Sequence, residues 1–229
     1  MARRPKLSGS AASAASTAPA AAPGTGHSRA ESKQQTRQAL LEAALAAMAD
    51  KSFDSLSLRE IAKAAGVVPT AFYRHFESTE ELGLVLVDDA FRALRRMMRV
   101  AREAPLPHEE LVRRSVETFA HYVKAHSAYF RFVVRERFGG SAVLRAAIRN
   151  EIRAFVSELA IDLARFSPLD RWKTPDLQML AALLVTTMVG AVERLLDADV
   201  RGEEALGEIV QLTEKHLQLV LAGAATFVS

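Results

Sequence analysis

The chain has 229 residues, of which 49% are hydrophobic and 25% charged, with a formal net charge of +3. That is enough for one large or two small globular domains, and too mildly basic for net charge alone to demand a nucleic acid. It has no cysteine, so disulfides, thiolate metal sites and cysteine nucleophiles are excluded; its six histidines show no metal-ligand spacing, with His121 and His126 five apart and therefore off one helical face.

Residues 1–28 are rich in Ala, Ser, Pro and Gly and are predicted to be a disordered tail. Their arginines precede no apolar segment, which argues against a secretory signal, and Pro19, Pro23, Gly24 and Gly26 interrupt any amphipathic transit helix. Arg3, Arg4, Lys6, Arg29, Lys33 and Arg37 are clustered towards this end with Glu31 as the single acid among them. That is the footprint of a phosphate-binding module or, more blandly, of a solvated basic tail.

A first helix is expected over 30–50, with an apolar stripe of Leu40, Leu41, Ala44, Leu45 and Met48. Phe53 and Leu56 follow as candidates to close a small core. Ser57 with Glu60 forms a capping box, and Leu58, Ile61, Ala62 and Ala65 repeat as one face of a second helix. Gly66 suits a left-handed helix end and Pro69 the first turn of the next helix. At about 100° per residue, Phe72 and Phe76 turn inward while Thr70 and Arg74 face out. Tyr73 and His75 lie on the flanks. The pattern fits a helix-turn-helix presented to a major groove, or a helical hairpin inside an all-α core.

Ser78 and Glu81 make a second capping box, opening a helix that runs unbroken to about residue 102. Pro105 and Pro107 mark a boundary. Beyond it no alternating strand pattern occurs, and helices are expected at 108–126, 127–138, 141–166, 175–198 and 203–226. The longest apolar run, Met179–Val192, is interrupted by Thr186, Thr187 and Gly190 and is too short for a membrane span. The last two helices carry broad apolar faces. Leu180, Leu184, Met188, Ile209, Leu212, Leu217 and Val220 are the candidates for a four-helix homodimer interface. The fold expected is all-α: a helix-turn-helix unit over 29–82, joined by a long helix to a helical ligand-binding and dimerisation domain over 83–229.

These residues resemble the TetR family of bacterial transcriptional regulators. The marks are Ala-Leu-Leu-Glu-Ala-Ala in the first helix, Leu-Arg-Glu-Ile-Ala-Lys-Ala-Ala-Gly-Val in the second, and Phe72-Tyr73-Arg74-His75-Phe76. Residues 69–76, Glu81-Leu82-Gly83-Leu84 and Arg135-Glu136-Arg137-Phe138-Gly139 further look like the FabR and DesT subgroup, which represses unsaturated fatty acid synthesis and senses long-chain acyl-CoA.

The resemblance implies a cytoplasmic, homodimeric repressor on double-stranded DNA with a near-palindromic operator, neither enzyme nor membrane protein, without metal or cofactor. It implies base reading by Thr70 and Arg74, with Pro69 and Ala71 at the groove floor. Lys33, Thr36, Arg37, Ser57, Tyr73, His75 and Thr79 would meet phosphates. Many family members carry Lys where this chain has Thr79, so that contact is weakened. For a hydrophobic effector such as long-chain acyl-CoA, Phe119, Tyr122, Phe130, Phe132, Val133, Val134, Phe155, Leu184 and Met188 are candidates to line a cavity, or to fill an ordinary core. Arg135, Arg137 and Arg149 are candidates for its phosphates, or for surface ion pairs with Glu136 or Glu151. The alternative is a family member that senses another hydrophobic molecule and controls efflux or catabolism. A helical enzyme is the remote third reading, since no catalytic constellation stands at a usable spacing.

Overall fold

Capping chemistry sets the first boundaries. The computed structural model describes residues 29–48, 51–102 and 107–227, so the expected tail at 1–28 and the boundary at Pro105 lie outside the described residues. Helix α1 spans Arg29–Ala47. Helix α2 spans Leu58–Ala64, and its capping box is complete. The Glu60 N–H donates to the Ser57 hydroxyl oxygen at 3.2 Å, and the Ser57 N–H donates back to the Glu60 carboxylate at 3.0 Å. Gly66, at φ +70°, turns the chain out of α2 in the left-handed region that glycine enters without a Cβ clash. Helix α3 spans Pro69–Phe72 and is shorter than the expected run to Phe76. Turns carry residues 73–76 onward, with the Phe76 N–H on the Phe72 carbonyl at 3.0 Å.

Helix α4, Thr79–Arg102, is 24 residues long. Ser78 caps the Glu81 N–H at 3.1 Å, but the Glu81 carboxylate reaches the Glu77 N–H instead of Ser78, so the second box is shifted by one residue. Helices α5 (His108–Ala125), α6 (Ser127–Glu136), α7 (Ala142–Leu163), α8 (Thr174–Arg201) and α9 (Glu203–Ala224) complete the order. Among the described residues every α or 3-10 segment is helical and no strand occurs. The expected helices are all present, with ends shifted by up to four residues, the largest shift at the end of α3.

The hydrophobic core crosses the expected limit at residue 82. Leu40, Leu41, Phe53, Ile61, Phe72 and Phe76 share one buried cluster with Leu82 and Leu86 of α4, Phe132 and Val133 of α6, and Leu144 and Ile148 of α7. Three short helices bury too little apolar surface alone, and the second half of the chain supplies the rest. A second cluster joins α4, α5, α6, α8 and the start of α9, and a third joins α5, α7, α8 and α9. Helix α8 needs one correction. Its stretch Thr174–Ala198 is long and apolar enough to cross a membrane, unlike the shorter run read from sequence. In the fold it packs between α7 and α9.

Candidate DNA interface and effector cavity

Phe72 and Phe76 are fully buried, as the rotation along α3 requires, and their rings tilt at 5.6 Å. They hold the outer surface in place. Pro69, Thr70 and Arg74 are exposed there, Tyr73 is 63% exposed, and Ala71 is half-buried. Val68, beside Pro69, is 64% exposed. Sequence reading passed over it because a lone valine at a helix start carries no periodic signal.

The basic turn of α1 lies against the same surface. Lys33 is exposed, and the half-buried Arg37 guanidinium sits 4.9 Å from the centre of the Phe76 ring. His75 is the point where these charges meet. Burial lowers its pKa first, followed by the positive charges of Lys33, Arg37 and Arg74. Its Nδ1 is buried without a hydrogen-bond partner. Cations from α1 and from the turn after α3 thus converge on one face, which is what a phosphate strand requires. Thr79 is half-buried in the first turn of α4.

Two of the expected phosphate contacts are altered by local bonding. The Ser57 hydroxyl and N–H both donate to the Glu60 carboxylate at 3.0 Å, leaving no donor for a phosphate. The Thr36 hydroxyl donates to the Ser32 carbonyl at 3.0 Å. Glu60 also pairs with Lys51 at 2.7 Å, and Lys51 is the first cause that pulls its carboxyl down to about 2.

The second half holds a half-open cavity of about 360 Å³, within the range of ligand pockets. Phe91, Leu94 and Met98 of α4 form one wall, and Ile152, Phe155 and Leu159 of α7 another. Leu111 and Phe119 of α5, Leu184 and Met188 of α8, and Leu217 and Leu221 of α9 close it. Ser115, Asp162 and Ser167 are its polar lining. Four expected lining residues are therefore placed there: Phe119, Phe155, Leu184 and Met188. The α4 wall was missed because α4 reads from sequence as a connector, although Phe91, Leu94 and Met98 do repeat at helical spacing.

The remaining ligand candidates sit elsewhere. Tyr122 stacks edge-on against Phe130 at 5.8 Å, and Phe130 and Val134 belong to the neighbouring core. Arg135 donates to the Met48 and Lys51 carbonyls at 2.6 and 2.8 Å. Arg137 lies 5.2 Å from the Phe138 ring, and Arg149 is exposed outside the cavity lining. Among the described residues no ion pair joins these arginines to Glu136 or Glu151, and Glu151 bonds Arg95 of α4.

The candidate dimer residues also divide. Leu180, Leu184 and Leu217 are buried within this chain, and Met188, Ile209 and Val220 pack against its own clusters. They are taken up by the monomer core because they face α5 and α7. The outward stripe is instead Met179, Leu183, Thr186 and Gly190 on α8, with Leu212 and Leu219 on α9. Of the expected set, only Leu212 is on that face.

A helix-turn-helix with a converging basic face, set on a helical domain, is the architecture of a DNA-binding regulator. Family models carry this further. That of the bacterial regulatory proteins of the tetR family matches residues 40–84, and that of the tetracyclin repressor-like C-terminal domain matches residues 107–223. The chain belongs to the TetR family and is a TetR-type transcriptional regulator.

Solved structures share its fold at low identity. The fatty acid degradation regulator FadR from Bacillus halodurans is 18% identical, with a TM-score of 0.68 over 82% of this chain and 95% of that one. FadR from Bacillus subtilis in complex with stearoyl-CoA is 17% identical, with a TM-score of 0.65 over 81% and 98%. The SmeT–triclosan complex is 19% identical, with a TM-score of 0.64 over 82% and 90%.

Proposed function

We propose that the chain is a homodimeric repressor that binds a near-palindromic operator and releases or tightens on it when a long acyl chain enters the cavity. The observation that carries this reading is the position of Phe91 and Phe155. Both line the cavity, and both pack on the cluster that contains Phe72 and Phe76. An occupant that displaces them acts on the support of α3, favouring whichever arrangement it binds better. Thr70 and Arg74 read bases, with Pro69 and Ala71 beside them. Lys33, Arg37, Tyr73, His75 and the N-terminus of α4 at Thr79 hold phosphates.

Dimerisation uses the outer stripe of α8 and α9. Two recognition helices then meet successive major grooves about 34–36 Å apart. Long-chain acyl-CoA, in control of fatty acid synthesis or desaturation, is the effector proposed, and the stearoyl-CoA complex of the Bacillus subtilis neighbour supports it. Its coenzyme A part would remain outside the apolar lining.

A second reading has its own support. The lining holds a carboxylate and two serines as its polar groups, a composition that suits an uncharged hydrophobic molecule at least as well as an acid. Such an effector would serve efflux or catabolism. An operator selected from random duplexes, followed by shift assays with palmitoyl-CoA, free coenzyme A and triclosan, separates the two. A response to palmitoyl-CoA alone supports the first reading. A response to triclosan alone replaces it with the second. Native mass spectrometry at twice the chain mass of 25.0 kDa tests the dimer.

A further inference from the structure

The cavity has two unlike ends. Phe91 and Leu94 of α4 and Phe119 of α5 are buried and form the inner one. Ser167 and Pro168, in the connection from α7 to α8, and Ala225, just past the end of α9, also line it and are exposed. The opening therefore lies where α7 and α9 stop. Helix α7 begins in the core shared with the DNA-binding unit, at Leu144 and Ile148, and ends at Leu163, so the opening faces away from that unit. Beside it the Trp172 and Phe227 rings pack with centres 5.1 Å apart, which ties the end of α9 to the connection before α8.

The polar groups of the lining gather towards this opening. Asp162 is in the last turn of α7, Ser167 follows it, and Ser115 of α5 is the third. Among the described residues that line the cavity there is no lysine, arginine or histidine, and Asp162 is the one titratable side chain. Its side chain is 19% exposed, and its partner Arg165 lies 3.5 Å away, 66% exposed and outside the lining. A pair this open to water on one side is screened there and counts for little. On the cavity side the carboxylate meets apolar walls, where a charge is felt more strongly. The opening thus presents a cation to solvent and an anion to the interior.

An apolar ligand that fills the inner end leaves its head at this opening. A carboxylate head would have to give up water beside a second carboxylate, with no cation in the lining to offset either. A hydroxyl head can donate to Asp162, and a quaternary ammonium is attracted to it. We infer that Asp162 is a specificity-determining residue: it admits apolar effectors with an uncharged or cationic head and rejects the same tail ending in a carboxylate. The inference rests on the reading of this cavity as the effector site and adds to it a rule for the head group. An acyl thioester is uncharged at its head and satisfies the rule.

Three ligands with one tail test it on the full chain, without DNA. Decanol, decanoate and decyltrimethylammonium compete against the neutral fluorescent probe N-phenylnaphthylamine, each below its micelle concentration. Decanol and decyltrimethylammonium are expected to displace the probe, and decanoate to do so at least about tenfold more weakly. Asp162→Asn keeps the size of the side chain and removes its charge. It is expected to close most of the decanoate gap and to weaken decyltrimethylammonium, with decanol, the probe and the helical circular dichroism unchanged. Ser115→Lys, with Asp162 in place, sets a cation in the lining and is expected to favour decanoate over decyltrimethylammonium, so the rule stays open to test even where Asp162→Asn does not fold.

Equal binding of decanoate and decanol by the parent chain overturns the rule. Rejection of decanoate and decyltrimethylammonium alike would mean that the apolar lining refuses any charge, and overturns the role of Asp162. A decanoate deficit that survives Asp162→Asn does the same. In each of these cases displacement by decanol leaves the cavity standing as an effector site. A probe that does not bind, or that none of the three ligands displaces, overturns the cavity reading and the rule with it.

Discussion

Arg37 of α1 rests 4.9 Å from the centre of the Phe76 ring, the inner anchor of the helix-turn-helix. The contact joins the two sources of positive charge on this face. It orients a guanidinium through its apolar stem and the ring face, a geometry in which arginine keeps its hydrogen-bond donors available. Lys33 and Arg74 lie near enough to perturb the same histidine, His75. A phosphate strand crossing this surface meets all of them.

Arg74 and Lys33 are expected to separate sequence from charge. Arg74→Ala should cost about 1–3 kcal/mol and relax the preference at one base position. Lys33→Ala should weaken all sequences alike and lower the salt slope by about one unit. Affinity measured on operator and scrambled duplexes across a salt series checks both. An equal loss on all sequences for Arg74→Ala would reassign it to a phosphate.

DNA binding is expected to depend on pH through His75. Burial and three neighbouring cations hold its pKa below the ordinary value of 6.5 in the free protein. A phosphate next to the ring would favour the charged form, so binding takes up a proton, at most about one per chain. Affinity is expected to rise as pH falls from 7.5 towards 5.5, and His75→Gln should flatten that rise. The stability effect has the opposite sign. With the folded pKa depressed, the unfolded chain binds the proton first, so this contribution is present above the unfolded pKa and is lost as pH falls below it. Binding titrations and thermal melts at several pH values separate the two.

Ser57→Ala is expected to cost about 1 kcal/mol of stability, the usual worth of an N-cap. It removes the acceptor for the Glu60 N–H and a donor to its carboxylate. Urea melts measure the loss, and DNA affinity at equal folded fraction should change little because Ser57 has no donor left. Glu60, held at about 2, adds a contribution that is present above the ordinary carboxylate range and fades as pH falls through its folded value. Acid titration of the variant should therefore show a weaker decline than that of the parent.

Gly83→Ala tests the continuity of the core across the start of α4. A Cβ there would lie 2.6 Å from Phe53 Cζ and 3.1 Å from both Leu144 methyl carbons. Overpacking of this kind costs about 1–3 kcal/mol. Because Phe53 follows α1 and Leu144 belongs to α7, the loss should appear as one cooperative transition shifted as a whole. Two separated transitions would show that the halves fold independently.

Local chemistry was legible in the chain because it acts over a few residues. The Ser57–Glu60 box, the left-handed Gly66 and the inward Phe72 and Phe76 follow from side-chain reach and helical rotation alone. The outward position of Thr70 and Arg74 follows from the same rotation. The order and approximate length of the helices followed from apolar spacing, and family-like motifs over 33–82 were sufficient to suggest the class.

Only the tertiary structure decided which apolar residues face a cavity and which fill a core. Phe119 and Phe130 have the same chemistry and lie on adjoining helices, yet one lines the cavity and the other does not. Leu184 and Leu183 are neighbours on α8, one turned into the chain and the other out of it. Periodicity defines a face but not what that face meets. Arg135 shows this most sharply, because its acceptors lie 84 and 87 positions away in sequence. Long-range hydrogen bonds leave no local signature. Arg135, a candidate for a ligand's phosphate, instead binds the chain's own backbone.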